Sequence, residues 1–282
     1  MLKQMPWILS GAIALLAGCV NPSPPVQNQD QLSQTEIGSV AAFSDEAYAT
    51  VLRTYVNADG LVDYSTLQSN PQGLKDFVGK LAAVSPATYA AWSENEKIAF
   101  LVNAYNAITL ESIVDQDPLK GSIKDIFGVW NFKRHRVMGR SLTLDMIEHE
   151  ILRKDFQEPR IHAALVCAAI SCPPLRQEPY TGDRLNEQLD DQVRRWLSGA
   201  HGLKIDRAEN RVSISAIFKW FGEDWQNAYR TDNQFTEITE NEKERAVLNF
   251  ISNYVSPEDK AYLIQESYKL DYLNYDWSLN QQ

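Results

Sequence analysis

Apolar positions in this chain recur at helical spacing in most segments and at strand spacing in two. Ala47, Val51, Leu52 and Tyr55 share one helical face, which predicts a helix over Asp45–Val56 with Ser44 as its N-cap. Asn57-Ala58-Asp59-Gly60 then reads as a turn, and a second helix is expected over Gly73–Ala83. The strongest helix signal starts at Ser93, where Ser93-Glu94-Asn95-Glu96 has the form of a capping box. Apolar residues lie on nearly every side of the following KIAFLVNAYNAITLESIV, so that helix should be buried around most of its circumference.

Trp130–Leu142 alternates and contains Met138-Gly139, which predicts a hairpin. Thr143 can cap a helix over LDMIEHEILRK, with Leu144, Ile147, Ile151 and Leu152 on its apolar face. Leu185, Leu189, Val193 and Leu197 mark an amphipathic helix closed by Gly199. LKI and RVSIS around DRAEN read as a second hairpin. Ser215 caps a short AIFKWF helix, and a last helix is expected over Glu242–Val255. YLNYDWSLN at the end is aromatic and apolar enough to dock on the domain. Long helices with a few short strands predict an α+β fold: a helix-rich single domain over 43–282 packed on a small antiparallel sheet.

Several polar residues break this pattern. Asn103, Asn106 and Thr109 interrupt the buried helix. A buried amide must be hydrogen-bonded, so Asn103 and Asn106 either brace neighbouring loops or orient a ligand. Glu148 falls in the middle of an apolar face with His149 at its flank. An unpaired buried carboxylate is costly, so Glu148 must be paired, protonated or facing a cleft. The hairpin gathers Lys133, Arg134, His135, Arg136 and Arg140, either as a solvated surface or as an anion-binding rim that would use Arg134 and Arg136.

RIHAALVCAAISCPPL, over 160–175, holds His162, Cys167 and Cys172. The intervals do not suit a zinc site, and no metal or other cofactor is expected. As a straight strand, ten residues would separate His162 from Cys172 by ~33 Å. As a helix, Cys172 would lie beyond its end. Neither shape makes His162 an obvious base for a thiol, and His149 is an equal candidate. Three states of the cysteines stay open: a disulfide, a reactive thiol, or buried inert side chains.

Composition changes the picture at the N-terminus. MLKQMPWILSGAIALLAGC has a basic n-region and an apolar run too short to span a bilayer, ending in Leu16-Ala17-Gly18-Cys19. This resembles a lipoprotein signal: residues 1–18 are the expected signal peptide and Cys19 the expected lipidation site. Residues 19–42 would form a flexible tether rich in Pro, Gln and Asn. The protein is then expected in the cell envelope, lipid-anchored and facing the periplasm or the exterior. The absence of Asp after Cys19 favours the outer membrane where there are two. A net charge of −10 argues against nucleic acid as a partner.

Taken together, five segments resemble the bacterial branch of the family called domain of unknown function 547. They are LVDY at 61–64, FLVNAYN at 100–106, SLTLDMIEH at 141–149, RIHAALVCAAISCPPL, and YDWSLN at 275–280. The resemblance implies a papain/transglutaminase-like relation, with site positions at Asn103, Asn106, Glu148, His149, His162, Cys167 and Cys172. It points to a thiol-dependent hydrolase or acyltransferase acting on a peptide-like substrate. In that scheme Cys172 attacks, His162 or His149 is the base, Glu148 orients the imidazole and an Asn amide stabilises the oxyanion. The alternative is a non-catalytic binding module that takes a peptide-like or small-molecule ligand in the same cleft.

Overall fold

In the computed structural model, which describes residues 43–282, the capping box at Ser93 is formed. The Ser93 hydroxyl accepts the Glu96 N–H, and the Glu96 carboxylate accepts the Ser93 N–H at 2.7 Å. The expected signal peptide, the expected lipidation site at Cys19 and the expected tether lie outside the described residues.

Four helices lead into the centre: α1 (Glu46–Tyr55), α2 (Tyr64–Ser69), α3 (Gln72–Ala83) and α4 (Pro86–Ala91). They surround α5 (Glu94–Val114), which is buried on almost every side, as its apolar circumference predicts. The first hairpin, β1 (His135–Val137) with β2 (Arg140–Leu142), turns at Met138 and Gly139, both at positive φ. Two positive-φ residues match the turn to the right-handed twist of the strands. The Met138 N–H bonds to the Leu81 carbonyl and so ties the hairpin to α3.

Helical structure is present in LDMIEHEILRK, and the Thr143 hydroxyl accepts the Met146 N–H at 3.1 Å, as expected of a cap. The helix type differs from the expectation. Met146–Leu152 is a π-helix, continued by the single turn α6 (Arg153–Asp155). Its wider turn is visible where the Arg153 N–H bonds to the Glu148 carbonyl, five residues back. Periodicity arguments assume 3.6 residues per turn, and a π-helix breaks that register.

The opening of RIHAALVCAAISCPPL is neither the straight strand nor the long helix weighed from sequence. It is one turn, α7 (Ile161–Ala164), followed by irregular backbone in which Ala168 takes φ 59°. Next come α8 (Leu185–Ser198), β3 (Leu203–Asp206) and β4 (Arg211–Ile214), then α9 (Ala216–Phe221), α10 (Gln226–Tyr229), α11 (Glu242–Ser252), α12 (Pro257–Gln265) and β5 (Lys269–Tyr272). The β3–β4 hairpin is antiparallel as expected, but β5 adds parallel to β4, so this sheet is mixed. The architecture is α+β and helix-rich.

Two apolar cores result. One gathers around α5; the other joins α8, α9, α11 and the second sheet through Trp196, Phe218, Trp225 and Phe250. The C-terminal strap ties the cysteine segment to the N-terminal turn. Ile170 N–H bonds to Ser278 O, Asn280 N–H to Ala168 O, and Val62 N–H to Asn280 O. The Tyr64 hydroxyl closes the seam on Asn280 Oδ1 at 2.7 Å. Among the described residues, no helix is long and apolar enough to cross a membrane.

Candidate active site

Asn106, on the buried helix, sets the position of the cysteine segment. Its amide donates to the Ala164 carbonyl and accepts the Val166 N–H, both at 2.9 Å. Asn103 makes the same pair with Tyr180, donating at 2.8 Å and accepting at 2.9 Å. Each side chain substitutes for a strand edge, satisfying one donor and one acceptor that would otherwise be buried and unpaired. Both amides are engaged by backbone and neither lines the cleft described below, so they brace loops rather than meet a ligand.

Held by Asn106 at its start and by the strap at its end, the segment curls back on itself. The left-handed Ala168 brings the N–H groups of Cys167 and Ala169 onto Cys172 Sγ, at 3.1 and 3.4 Å. Cys167 Sγ lies 2.7 Å from the same sulfur and the Tyr275 hydroxyl 3.3 Å. The two cysteines are free thiols here. Burial works against a Cys172 thiolate, but the hydrogen bonds from Cys167, Tyr275 and the two backbone N–H groups outweigh it and pull the thiol below its ordinary value. Cys167 moves the other way, pushed up by its hydrogen bond to Cys172 and by burial. Tyr275 is raised as well, by burial and by the neighbouring sulfurs. Of the two sulfurs, Cys172 is the one whose surroundings favour a thiolate, and Cys167 the one whose surroundings favour the thiol.

Cys167 and Cys172 border a cleft of about 230 Å³ that Glu148, His149 and His162 also line. The π-helix delivers Glu148 and His149 to this cleft while Ile147, Ile151 and Leu152 go to the core. Glu148 is thus neither buried without purpose nor paired with an Arg. Burial and then the Glu148 charge push the Tyr105 phenol well above its usual range. Arg153 Nη1 lies 3.3 Å from His149 Nδ1 and can only donate, so that nitrogen accepts.

Glu148 does not orient His162. That ring is stacked on Phe221 with centroids 4.6 Å apart, and its Nε2 donates to Asp224 Oδ2 at 2.7 Å. Arg153 holds the same carboxylate with a two-pronged grip, at 2.6 and 2.9 Å. Burial tends to raise Asp224, but the hydrogen bonds from His162 and Arg153 hold it well below the ordinary carboxylate range. Among the described residues, neither His149 nor His162 is hydrogen-bonded to a sulfur. Arg134 donates to the Ser141 carbonyl at 3.0 Å, Arg136 is exposed on β1, and both stand outside the cleft.

Sequence reasoning did not single out Asp224, Arg153 or Tyr275. Tyr275 had a signal, since YDWSLN is one of the segments that carry the family resemblance. Asp224 sits in FGEDW, a carboxylate among aromatics, which is the same kind of anomaly that drew attention to Glu148. Cys172 also borders a more polar hollow of about 570 Å³ lined by Arg195, His201 and Asn280.

Fold and site define an α+β domain with two neighbouring cysteines bordering an aromatic, acidic cleft. Residues 89–197 match the family described as Protein of unknown function, DUF547, which bears out the resemblance over that stretch. It contains α5, the π-helix and both cysteines. No curated protein and no solved structure matches. The papain/transglutaminase-like relation is not borne out.

Proposed function

We infer that this is a cell-envelope thiol enzyme, a hydrolase or acyltransferase on a peptide-like substrate. The observation that carries the reading is the convergence on Cys172 Sγ of two backbone N–H donors and two further hydrogen-bond partners, the Cys167 thiol and the Tyr275 hydroxyl. Such a sulfur is a nucleophile without a base in direct contact, because the thiolate is stabilised in advance. Cys172 Sγ would add to the substrate carbonyl carbon. The carbon–nitrogen bond would then break, and the departing amine would take a proton from His162 or His149 on the cleft wall. Water or an acceptor amine would then add to the thioester carbonyl and give a proton back to that imidazole, and the carbon–sulfur bond would break to return the Cys172 thiolate. With its Nε2 held on Asp224, His162 would meet the substrate through Nδ1. The Asn amides are occupied elsewhere and have no part in this scheme.

The test is alkylation by iodoacetamide at neutral pH, followed by peptide mapping. Cys172 should label faster than the thiol of an unstructured peptide, and Cys172→Ala should abolish that fast phase. Slow labelling, or a Cys167–Cys172 bond that persists in mild reductant, overturns the thiol reading.

A second reading is favoured by one observation, the lack of a hydrogen bond between either imidazole and a sulfur. On that reading the cleft binds a ligand and does no chemistry. Ligand binding retained in Cys172→Ala, with no turnover by the intact protein, would establish it.

The envelope location rests on Leu16-Ala17-Gly18-Cys19. A lipid on Cys19 would anchor the protein to a membrane, so the full chain expressed in bacteria should enter the detergent phase and Cys19→Ser should not. Partition of both into water would overturn the anchor.

A further inference from the structure

The walls of the cleft have a chemistry that the thiol reading does not use. Trp130, Trp220, Tyr275 and Trp277 form a connected aromatic surface. Tyr275 is 4.6 Å from Trp277 and 4.8 Å from Trp220, while Trp277 is 5.9 Å from Trp220 and 6.1 Å from Trp130, ring centre to ring centre. Asp145 and Glu148 border the same space, and no Lys or Arg lines it. Their nearest basic neighbour is the His149 ring, 3.9 Å from each carboxylate and so beyond a strong hydrogen bond. Its Nδ1 is engaged by Arg153 at 3.3 Å.

Aromatic faces and carboxylates without a Lys or Arg partner both attract a cation, and they do so more strongly when water is excluded. The protein already uses one of these rings in this way: Lys124 Nζ lies 5.1 Å above Trp277 from outside the cleft. A neutral apolar ligand would use the rings but leave Glu148 desolvated, and an anionic one would be repelled.

We propose that the cleft recognises an ammonium group on the substrate, the amino end of a peptide or a lysine-type side chain, held between the aromatic wall and Glu148 with Asp145. This deepens the thiol reading by naming the part of the substrate that is gripped beside Cys172.

Two measurements on the full chain test it. The first titrates Cys172→Ala with n-butylammonium and with n-butanol, following tryptophan fluorescence. Butylammonium should give a saturable change that butanol does not. Glu148→Gln should weaken the ammonium about tenfold, and Trp220→Leu, at a partly exposed ring, should weaken it by a similar factor. The second compares labelling of the native protein by methanethiosulfonate reagents carrying a trimethylammonium or a sulfonate group. The cationic reagent should be favoured by about tenfold more than with a free thiol peptide, and Glu148→Gln should remove the excess.

Fast labelling that ignores reagent charge, with no saturable ammonium binding, overturns the ammonium site and leaves the thiol reading standing. Slow labelling with saturable ammonium binding does the reverse: the site stands and the nucleophile falls. Equal responses to butylammonium and butanol overturn the proposal whatever the sulfur does.

Discussion

Asn103 and Asn106 on α5 and Glu148 and His149 on the π-helix pose the same problem in sequence, since each pair sets polar groups into an apolar surface. The structure solves it in opposite ways. Each Asn spends one donor and one acceptor on a loop backbone, with all four distances between 2.8 and 2.9 Å. Glu148 and His149 have no such bonds to backbone and instead open on a cleft. A satisfied buried polar group holds the fold together. A group that opens on a cavity keeps a face free of the fold's own packing. Inside a protein an unmade hydrogen bond costs more than a made one gains, so the two pairs should respond differently to mutation.

The largest difference is expected in stability. Asn106→Ala strips partners from the Ala164 carbonyl and the Val166 N–H and should cost on the order of 3 kcal/mol. In a domain of this size that lowers Tm by roughly 10 °C, readable by calorimetry. Glu148→Gln keeps its shape and keeps an oxygen for the Tyr105 hydroxyl, so its Tm should stay within about 2 °C of the parent. If both variants lose stability alike, Glu148 is a structural group and the comparison fails.

The next effect is on the sulfur that Asn106 helps to place. Cys167→Ala removes the S–H donor 2.7 Å from Cys172. The Cys172 thiol should then rise toward its ordinary value, and alkylation at neutral pH should slow by roughly tenfold. The rate-against-pH profile should shift to higher pH. The opposite result is equally informative. If Cys167 locks Cys172 in a disulfide, removing it will free the sulfur and speed the reaction.

What was legible in the sequence divides along similar lines. Local signals were readable because local chemistry produces them: the Ser93 capping box, the Met138-Gly139 turn, the Gly199 helix end and the Ser215 cap are all present. The bracing role of the two Asn residues was one of two readings, and the structure selects it. Asn106, Glu148, His149 and His162 were expected to build one cleft beside Cys172; the structure lines it with the last three and both sulfurs, and puts Asn106 behind it. The groups that tune them were hidden by distance along the chain. Asp224 reaches His162 across 62 positions, and Tyr275 reaches Cys172 across 103. The π-helix was hidden for another reason, because a hydrophobic pattern read at 3.6 residues per turn carries no mark of a wider turn. The parallel docking of β5 on β4 is a long-range pairing with no local signature.

Asp45 tests where the saturation argument ends. It precedes α1, its side chain makes no cap hydrogen bond, and its contact is a long one of 3.5 Å to the Asn103 amide, which is already engaged with Tyr180. Burial therefore dominates, and against the weaker pull of Asn103 it pushes the carboxyl up to about 6. The folded protein holds this proton more tightly than the unfolded chain does. The contribution to stability is thus full below the unfolded value of 3.8 and is lost as pH rises through about 6. Asp45→Asn keeps the shape and removes the charge. It should match the parent at pH 4 and exceed it at pH 7.5 by on the order of 1 kcal/mol, a figure reduced for the group's partial exposure. His135 tilts the overall curve the other way over the same range. Burial and Lys133 lower it to about 4, so its contribution is present above 6.5 and is lost as pH falls through about 4. The parent curve alone will therefore look flatter than either group makes it, and the measurement that counts is the variant-minus-parent difference in chemical denaturation at each pH. A gap of the same size at both pH values would mean that the Asn side chain makes a new bond of its own. A gap that opens only between pH 4 and 7 would mark Asp45 as a polar group that the fold left partly unpaid, unlike the two Asn residues beside it.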